Sequence, residues 1–455
     1  MGPIRYPVFA VLALGCSGSG TALSTTSPSG PTGAAGGGAN HGSDVHCTAT
    51  DGYYTTKDVA FAPGDLSSAL VEAVVFDSSP AGATTYPGMG YADGTCQVAG
   101  VPEGPYLLHV RRSPAGTGRW LATDARTVDV GADFAARLDE SPLTTAATLH
   151  LELSGLLPQA GSLVLLSGTG GLSAQTTLPL LAPNSGHFSD SIDVPAGWPA
   201  LVSDDLWVLQ ATTTPTTEAT EWSIVSAEHV TDLTVSAGAT SVVTATLHPP
   251  PPLGYSFSID QAALDAMTSS PGAGAGRDVF VFAGRFLPVH SRRSSGLPTQ
   301  FQGTITNPFP TSWPLDVRVY SYLHEGQVEM VAPLTNDGSV VTPTLGLVRN
   351  ATVDGHPAPD AIVAGSTTPT VQWDPPLLGT PSWFFVYVDR KDNGDSAWEV
   401  YTRGTSVRIP PGVLAKGVTY SVRVGADASD GSDATRAFSS STAAKTIATV
   451  ATLAP

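Results

Sequence analysis

Leu315–Leu323 has the sequence LDVRVYSYL, in which leucine and valine alternate with arginine and tyrosine. A period of two is typical of a β-strand with one buried face. Glu325 and Gly326 then provide a turn signal, and Val328 and Met330 resume the alternation. The segment therefore predicts two neighbouring strands joined by a turn.

The same pattern extends through the chain after residue 46. Short runs rich in Val, Leu, Thr and Tyr are separated by Pro-Gly and Asp-Gly pairs, which signal turns. Leu66–Val74 and Ala263–Met267 also fit helical spacing, but the first alternates as well and lies close to Pro80. We therefore predict an all-β chain of tandem antiparallel β-sandwich domains of the Ig-like kind, with at most a short helical turn near 260–267.

Composition limits the class of protein. The chain has 455 residues with 48 Gly, 38 Pro and 13% charged residues, which indicates ordered, turn-rich domains. At about 100–150 residues per domain, this length predicts three or four domains. The net charge of −18 argues against sequence-independent nucleic-acid binding, so no nucleic-acid partner is expected.

The N-terminal segment has the features of an export signal. Residues 1–16 combine Arg5, an apolar core from Val8 to Leu14, and the pair Gly15-Cys16, which is typical of a secretory signal peptide. The sequence LALGC at 12–16 resembles the bacterial lipobox. This resemblance implies that Cys16 is lipidated and anchors the protein to a membrane. The alternative is an ordinary signal peptide that is removed together with Cys16. Residues 17–45 are nearly all Ser, Gly, Thr, Ala and Pro, which predicts a disordered tether.

Residues 94–108 have the sequence GTCQVAGVPEGPYLL. Pro102 fixes φ at the start of a turn, and Gly104 accepts a positive φ near its end. A strand, a Val-Pro-x-Gly turn and a returning Tyr-x-Leu strand resemble the carboxypeptidase-regulatory-like (transthyretin-like) sandwiches. The resemblance implies such a domain over residues 46–142.

The C-terminal residues 363–455 contain three ordered features. These are TVQWDPP at 370–376, VYV at 386–388 and LAKGVTYSVRVGA at 414–426. Together they resemble fibronectin type III domains. The resemblance implies structural roles for Trp373, as the core tryptophan, and for Leu414 and Tyr420, in a tyrosine corner whose hydroxyl bonds upstream backbone.

Two central segments match no family that we recognise. Residues 143–248 and 254–362 are both rich in predicted strands, and the proline run at 249–252 marks a boundary between them. We therefore predict a β-sandwich followed by a second β-rich domain.

No sequence motif for catalysis or phosphate binding is present in the chain. His41, Asp44, His46 and Cys47 could form a metal site, but they lie in or beside the tether, where scattered donors bind weakly. Two Asp-rich segments, at 389–395 and 427–433, suggest calcium, yet each is better interpreted as a turn capped by its own side chains. We therefore expect neither a metal nor a cofactor.

Aromatic side chains are the best lead to a ligand. Tyr320 and Tyr322 share the polar face of their predicted strand with Arg318, and could form a small exposed platform for a sugar. The alternative is a cross-strand aromatic pair that only stabilises the sheet. Four tryptophans raise the same question, and the apolar neighbours of Trp207 favour a core position for it; the four are Trp198, Trp207, Trp222 and Trp313.

The three cysteines predict a covalent arrangement. Unpaired thiols are disfavoured in exported proteins. If lipid modifies Cys16, then Cys47 and Cys96 remain to form a disulfide. Such a bridge would stabilise the first domain by roughly 4 kcal/mol on the chain-entropy estimate. The alternative is two separate buried thiols.

These patterns together predict a lipid-anchored protein of the cell envelope, at an outer membrane or cell surface. Its sandwiches would act as spacers and as modules for adhesion or ligand binding, with a glycan or a protein as partner and with no catalysis. The alternative is a secreted accessory protein for carbohydrate or peptide degradation, or an enzyme whose catalytic residues are dispersed over loops, since a triad is recognised by geometry. A site where Ser, His and an acid converge would distinguish the two.

Overall fold

The computed structural model describes most of the chain after residue 41. The described residues are 42–54, 59–77, 82–112, 118–135, 143–158, 162–168, 173–177, 186–196, 201–215, 219–267, 276–283, 287–294, 299–311, 315–323, 326–334, 338–357, 361–362, 367–429 and 442–455. Within them the chain is almost entirely β-strand, as predicted, and it forms four sandwiches with four hydrophobic cores.

The first sandwich is built from eight strands: β1 Ser43–Tyr54, β2 Val59–Pro63, β3 Leu70–Phe76, β4 Ala83–Gly90, β5 Thr95–Val101, β6 Tyr106–Arg111, β7 Arg119–Thr123 and β8 Thr127–Ala135. One sheet centres on β1, which pairs with β2, β5 and β8, and the other has the order β4-β3-β6-β7. The β5–β6 turn contains Gly104 at a φ of 111°, as its sequence predicted. Cys47 lies opposite Cys96 in the β1–β5 pair, and the predicted disulfide joins them with the Cα atoms 4.9 Å apart.

The second sandwich is built from seven strands: β9 Ala147–Ser154, β10 Ser162–Gly168, β11 Ser173–Thr177, β12 Phe188–Val194, β13 Leu201–Pro215, β14 Ala219–Val235 and β15 Thr240–Thr246. One sheet has the order β12-β9-β15 and the other the order β11-β10-β13-β14. Leu149, Leu151 and Leu153 of β9 are buried, so the alternate residues of β9 point outward.

The third sandwich is built from seven strands and one helix: β16 Pro252–Ile259, α1 Gln261–Asp265, β17 Gly276–Ala283, β18 Leu287–Ser294, β19 Gln300–Thr306, β20 Leu315–Tyr322, β21 Gly326–Pro333 and β22 Ser339–Val341. Its sheets have the orders β19-β16-β22 and β18-β17-β20-β21. In β20 the predicted alternation is present, with Val317 and Val319 fully buried. The helix is the single predicted turn. Asp260 caps it by accepting the Ala263 N–H at 3.0 Å.

The fourth sandwich is built from nine strands: β23 Arg349–Val353, β24 His356–Pro357, β25 Ala361–Ile362, β26 Thr370–Asp374, β27 Trp383–Arg390, β28 Ser396–Thr402, β29 Ser406–Arg408, β30 Tyr420–Ser429 and β31 Thr442–Leu453. Its sheets have the orders β24-β23-β26-β29 and β28-β27-β30-β31. Trp373 and Leu414 are buried in this core, and the Tyr420 hydroxyl accepts the Ala415 N–H at 2.9 Å. Buried Leu345 belongs to the same core, although it precedes residue 363.

Edge strands join the four sandwiches sideways. β7 pairs in parallel with β28, and β31 and β18 pair antiparallel with β21 and β14. The hydrogen-bonded series therefore runs β4-β3-β6-β7, β28-β27-β30-β31, β21-β20-β17-β18 and β14-β13-β10-β11. The first sandwich consequently neighbours the fourth, and the second lies at the other end of the series.

The first and fourth sandwiches also share core side chains. Val74 and Leu107 of the first sandwich lie in the fourth core, whereas Trp383 of β27 lies in the first core. Trp120 of β7 meets Trp398 edge to face, with ring centroids 6.4 Å apart. The two cores therefore depend on each other's side chains. In the described part of the chain, no helix is long and apolar enough to span a membrane.

Candidate ligand-binding face

The candidate site lies on the outward face of the sheet where the third and fourth sandwiches join. Since side chains alternate along a strand, Val319 of β20 and Val328 of β21 point into the third core and their neighbours point outward. The β21–β31 pairing places Glu329 directly opposite Lys445, so this outward face continues from one sandwich to the next. We call the outward side chains of β17, β20, β21, β31, β30 and β27, with those of β28, the polar–aromatic face.

The third-sandwich half of this face contains the predicted Tyr320 and Arg318. The Tyr320 ring stands edge-on to Phe280 with centroids 5.7 Å apart, and its hydroxyl lies 3.4 Å from Glu329. Arg318 forms an ion pair with Glu329 at 3.3 Å and covers the Phe282 ring at 5.2 Å. Burial, followed by the charge of Glu329, raises the pKa of Tyr320. The ring therefore presents a neutral hydroxyl beside a charged pair.

Tyr322 lies at the end of the same strand and is the more exposed of the two tyrosines. It is 36% exposed, and its hydroxyl donates to Asp278 at 2.9 Å. Arg293 holds both oxygens of Asp278 at 2.8 Å, so the carboxylate that fixes Tyr322 is itself fixed. Burial and the hydrogen bond to Asp278 raise the pKa of Tyr322 to about 12.

Tyr320 and Tyr322 have features of both predicted alternatives, the exposed platform for a sugar and the aromatic pair that only stabilises the sheet. They share one face with Arg318, but Tyr320 is half-buried and only Tyr322 is exposed. Each hydroxyl has a carboxylate neighbour, so the rings are held in place by hydrogen bonds as well as by packing. The sequence alone does not predict Asp278 and Glu329 at this site, because they lie on other strands and only the strand register brings them beside the tyrosines.

The fourth-sandwich half is built on Phe385. This ring is fully buried beneath Lys445, whose Nζ lies 4.5 Å from its centroid, and beside Tyr387 at 5.0 Å. The strand opposite contributes Gly425, where a Cβ would overlap the Phe385 ring. A glycine is required at this position because the aromatic ring lies directly over the backbone.

Lys445 carries the central charge of the fourth-sandwich half. Burial disfavours its charged form, but Tyr387, Asp427, Glu399 and Glu329 together raise the pKa of Lys445 above its ordinary value. The amine is therefore cationic at neutral pH and is surrounded by hydroxyl and carboxylate oxygens.

Arg423 provides a second cation beside the rings of Phe385 and Tyr387. Its guanidinium lies 5.3 Å from the Tyr387 centroid and binds Asp389 with nitrogen–oxygen distances of 3.0 and 2.5 Å. Asp392 is paired with Arg390 at 2.7 Å. The Asp-rich loop after β27 thus uses its carboxylates in ion pairs and turns, and Asp430 and Asp433 lie outside the described residues.

The arrangement suits binding rather than covalent chemistry. Cations and carboxylates alternate across the face, so it has little net charge. Phe280, Phe282 and Phe385 are buried beneath this layer, and the partly exposed rings of Tyr320, Tyr322 and Tyr387 offer apolar surface to a ligand. Guanidinium and carboxylate groups have planar, two-pronged hydrogen-bonding geometry, and aromatic rings contact apolar C–H groups. A neutral molecule with many hydroxyl groups satisfies all three kinds of group.

A serine, a histidine and a glutamate converge elsewhere, on the outer face of β9 and β12. His150 Nδ1 lies 3.0 Å from Ser191 Oγ, and its Nε2 lies 2.6 Å from Glu152, which also accepts the Ser189 hydroxyl. The backbone N–H of Ser191 is bonded to Asp190, and the side chains of His150 and Glu152 are 34% and 48% exposed. The array therefore lacks the enclosed oxyanion donors that acyl transfer requires, and forms a polar cross-strand ladder.

The other predicted residues have varied positions. Trp207 is buried, as its neighbours predicted. Asp44 is hydrogen-bonded to Gln97, and Cys47 is in the disulfide; among the described residues no group of three His, Cys, Asp or Glu side chains could hold a metal. Cys16, His41, Trp198, Trp313 and the side chain of Trp222 lie outside the described residues.

Comparison with known proteins gives no family for the chain. No protein-family model matches, and no curated protein matches. Among solved structures, domains of titin are similar at 10% identity, covering 90% of this chain and 97% of that one, with a TM-score of 0.16. A Ca2+-stabilised, ice-binding adhesin of an Antarctic bacterium is similar at 14% identity, covering 91% and 100%, with a TM-score of 0.16. A streptococcal ancillary pilin is similar at 12% identity, covering 66% and 99%, with a TM-score of 0.14. Values this low carry no argument about function.

Proposed function

We propose that the chain is an exported, lipid-anchored protein of the cell envelope that binds a ligand without catalysis, and that the polar–aromatic face is its binding surface. The observation that carries this proposal is the pairing of Glu329 with Lys445 across the β21–β31 junction. This pairing joins the third-sandwich half of the face, which contains Tyr320, to the fourth-sandwich half, which contains Tyr387. Strands are about 4.8 Å apart, so four strand spacings separate Tyr320 from Tyr387 by about 19 Å.

The chemistry of the face favours a glycan over a charged ligand. The whole chain carries −18, so an acidic polysaccharide would be repelled on approach. Arg318, Arg423 and Lys445 all have carboxylate neighbours, which would compete with an anion for their N–H groups. A neutral oligosaccharide can lie across the strands, with its C–H faces on the tyrosine rings and its hydroxyls on the charged groups.

A glycan array compared between variants tests this function. The parent should bind neutral glycans, and the double variant Tyr320→Ala/Tyr322→Ala should lose at least about tenfold in affinity, since each lost aromatic contact is worth about 1 kcal/mol. Tyr91→Ala is the matched control, because Tyr91 is 39% exposed but lies on the first sandwich. Absence of any glycan ligand for the parent, or equal loss in the control, would contradict the proposal.

The anchor is tested separately by the intact mass of the protein from the membrane fraction. The mature chain should begin at Cys16 and carry acyl mass. Cys16→Ser should remain unprocessed or leave the membrane fraction, while the sandwiches still fold. A mature N-terminus after residue 16 would remove the lipid anchor and leave the binding face unaffected.

A further inference from the structure

The loop between β26 and β27 exposes two adjacent leucines to solvent. Leu377 is 80% exposed and Leu378 is 38% exposed, and among the described residues no other large hydrophobic side chain is as exposed as Leu377. The run from Pro375 to Val388 contains no charged residue. One exposed apolar side chain is common on a protein surface, but two leucines together at the tip of an uncharged loop indicate a contact. We call residues 375–379 the leucine loop.

Backbone contacts hold the leucine loop in this position. The Leu378 carbonyl accepts the Gly346 N–H at 2.9 Å, which ties the loop to the segment before β23. Gly379 has a φ of 76°, and a Cβ there would overlap the Thr344 carbonyl oxygen, so this position requires glycine. The exposure of Leu377 is therefore a fixed feature of the fold.

The leucine loop lies at the end of the strands where the N-terminal tether enters. β1 begins at Ser43, opposite Val101, and Arg126 of the β7–β8 turn donates to the Val101 carbonyl at 3.0 Å. The C-terminal end of β7 pairs with the C-terminal end of β28, which lies opposite Phe384 at the start of β27. The leucine loop directly precedes β27. The strand register therefore places Ser43 and the leucine loop at the same end of the first and fourth sandwiches.

This end carries balanced charge, although the whole chain carries −18. Two acidic and two basic residues lie in its described turns: Glu103 after β5, Asp124 and Arg126 after β7, and Arg403 after β28. Charges farther away than the Debye length, about 8 Å at physiological salt, are largely screened. A lipid surface is therefore not repelled at this end by the net charge of the chain.

We propose that the leucine loop inserts into the surface of the lipid bilayer to which the tether attaches the chain. The proposal rests on the proposed lipid anchor in one respect, that a membrane lies at the end where Ser43 enters. Burying one leucine in lipid favours insertion by a factor of roughly ten to one hundred, which is too little to hold a free protein at a membrane. The tether supplies a high effective concentration, at which so weak a contact forms. Insertion fixes the orientation of the sandwiches relative to the membrane, which a tether alone leaves free.

Attachment through an N-terminal tag tests the insertion without any lipid on Cys16. The chain from Ser17 onward, with a histidine tag before it, is bound to phosphatidylcholine vesicles through nickel-chelating lipid. A fluorophore on Thr380→Cys, an exposed position next to the leucine loop, should be quenched by nitroxide-labelled lipid. Adding Leu377→Ser should lower the ratio of inserted to free loop by at least about tenfold. Raising the salt concentration should leave the quenching unchanged, because the contact is apolar.

Met89→Cys with the same fluorophore is the matched control. Met89 is 65% exposed, but it pairs with Gln97, nearer the other end of β5 from the Ser43 side. A fluorophore there should remain unquenched on the same vesicles. The chain without a tag should show no quenching at Thr380→Cys, because one leucine does not hold it at the membrane.

Three results would overturn the proposal. The first is no quenching at Thr380→Cys on vesicles that hold the chain through the tag. The second is quenching that Leu377→Ser leaves unchanged or that Met89→Cys shares, which would place the contact elsewhere. The third is a signal at Thr380→Cys that changes with protein concentration without vesicles, which would assign the leucines to a second copy of the chain. A mature chain that lacks Cys16 would contradict the lipid anchor, whereas quenching measured through the tag would still confirm or refute the insertion.

Discussion

Replacing Trp383 by alanine tests whether the first and fourth sandwiches share a core. Trp383 begins β27 of the fourth sandwich, yet it is buried in the first core at 7% exposure, and Arg403 covers its ring at 4.4 Å. Its neighbour Phe384 points the other way, into the fourth core. Trp383→Ala therefore removes a side chain from the core of the first sandwich, although the residue lies on a strand of the fourth sandwich.

The expected loss of stability follows from the burial of the Trp383 side chain. Truncating a buried tryptophan to alanine costs about 3–5 kcal/mol, made up of lost transfer free energy and the cavity left behind. Each 1.4 kcal/mol is a tenfold change in an equilibrium constant. Opening of the first sandwich should therefore become more frequent by a factor between about one hundred and a few thousand.

The disulfide of the first sandwich gives a local readout of this opening. Cys47 and Cys96 are 1% and 2% exposed, so a reductant reaches the bond only when the first sandwich opens. The rate of reduction under native conditions, followed by thiol alkylation and mass measurement, reports the population of the open form when closing is fast. Trp383→Ala should raise this rate by the factor above.

Trp207→Ala is the matched control. Trp207 is also 7% exposed, but it lies in the third core and stacks on His229 at 4.3 Å. Its loss should destabilise the third sandwich and leave the reduction rate nearly unchanged. Equal rates for the parent and Trp383→Ala would refute the shared core, and so would equal acceleration by both substitutions.

Two further predictions concern tyrosines. Tyr420→Phe should destabilise the fourth sandwich by about 1 kcal/mol, because the hydrogen bond from the Ala415 N–H to the buried Tyr420 side chain is lost; denaturant unfolding should show this loss, and an unchanged midpoint would contradict the tyrosine corner. Tyr322 has a pKa raised to about 12, so it stays protonated in the folded protein where an ordinary tyrosine would ionise near 10. Its contribution to stability should be complete below about pH 10 and should be lost as the pH rises to about 12. The phenolate absorbance that disappears in Tyr322→Phe should therefore appear near pH 12, and its appearance near pH 10 would contradict the hydrogen bond to Asp278.

The local features of the fold were predictable because they depend on neighbours in sequence. The alternation in 315–323 gave the strand and its buried face, which Val317 and Val319 show. The turn before Tyr106 was predictable because Gly104 tolerates a positive φ. The disulfide followed from the parity of the cysteines, since an exported chain seldom keeps two thiols free.

The candidate face could be predicted only in part. Alternation placed Arg318, Tyr320 and Tyr322 together, but it gave no information on Lys445 or Tyr387, which lie more than sixty residues further along the chain. Long-range strand register brings the two groups together, and no local pattern encodes that register.

Continuously apolar strands in the sequence indicate which strands lie where one sandwich joins the next. Strands covered on one face alternate, whereas strands covered on both faces are continuously apolar. Trp383–Val388 reads WFFVYV, and the first four of these residues are buried. Similarly, Val279–Phe282 of β17 is buried on both faces. Their second apolar face is covered by long side chains of the neighbouring strands, since Arg318 lies over the Phe282 ring and Lys445 over the Phe385 ring.

The sideways order has a consequence for how the protein would work at a surface. The predicted lipid and tether enter at β1 of the first sandwich, and the hydrogen-bonded series ends in the second sandwich, which carries β15. The polar–aromatic face lies between these two ends. A lipid at the start of the tether would therefore attach the chain through the first sandwich, while the polar–aromatic face of the third and fourth sandwiches stays open to a ligand.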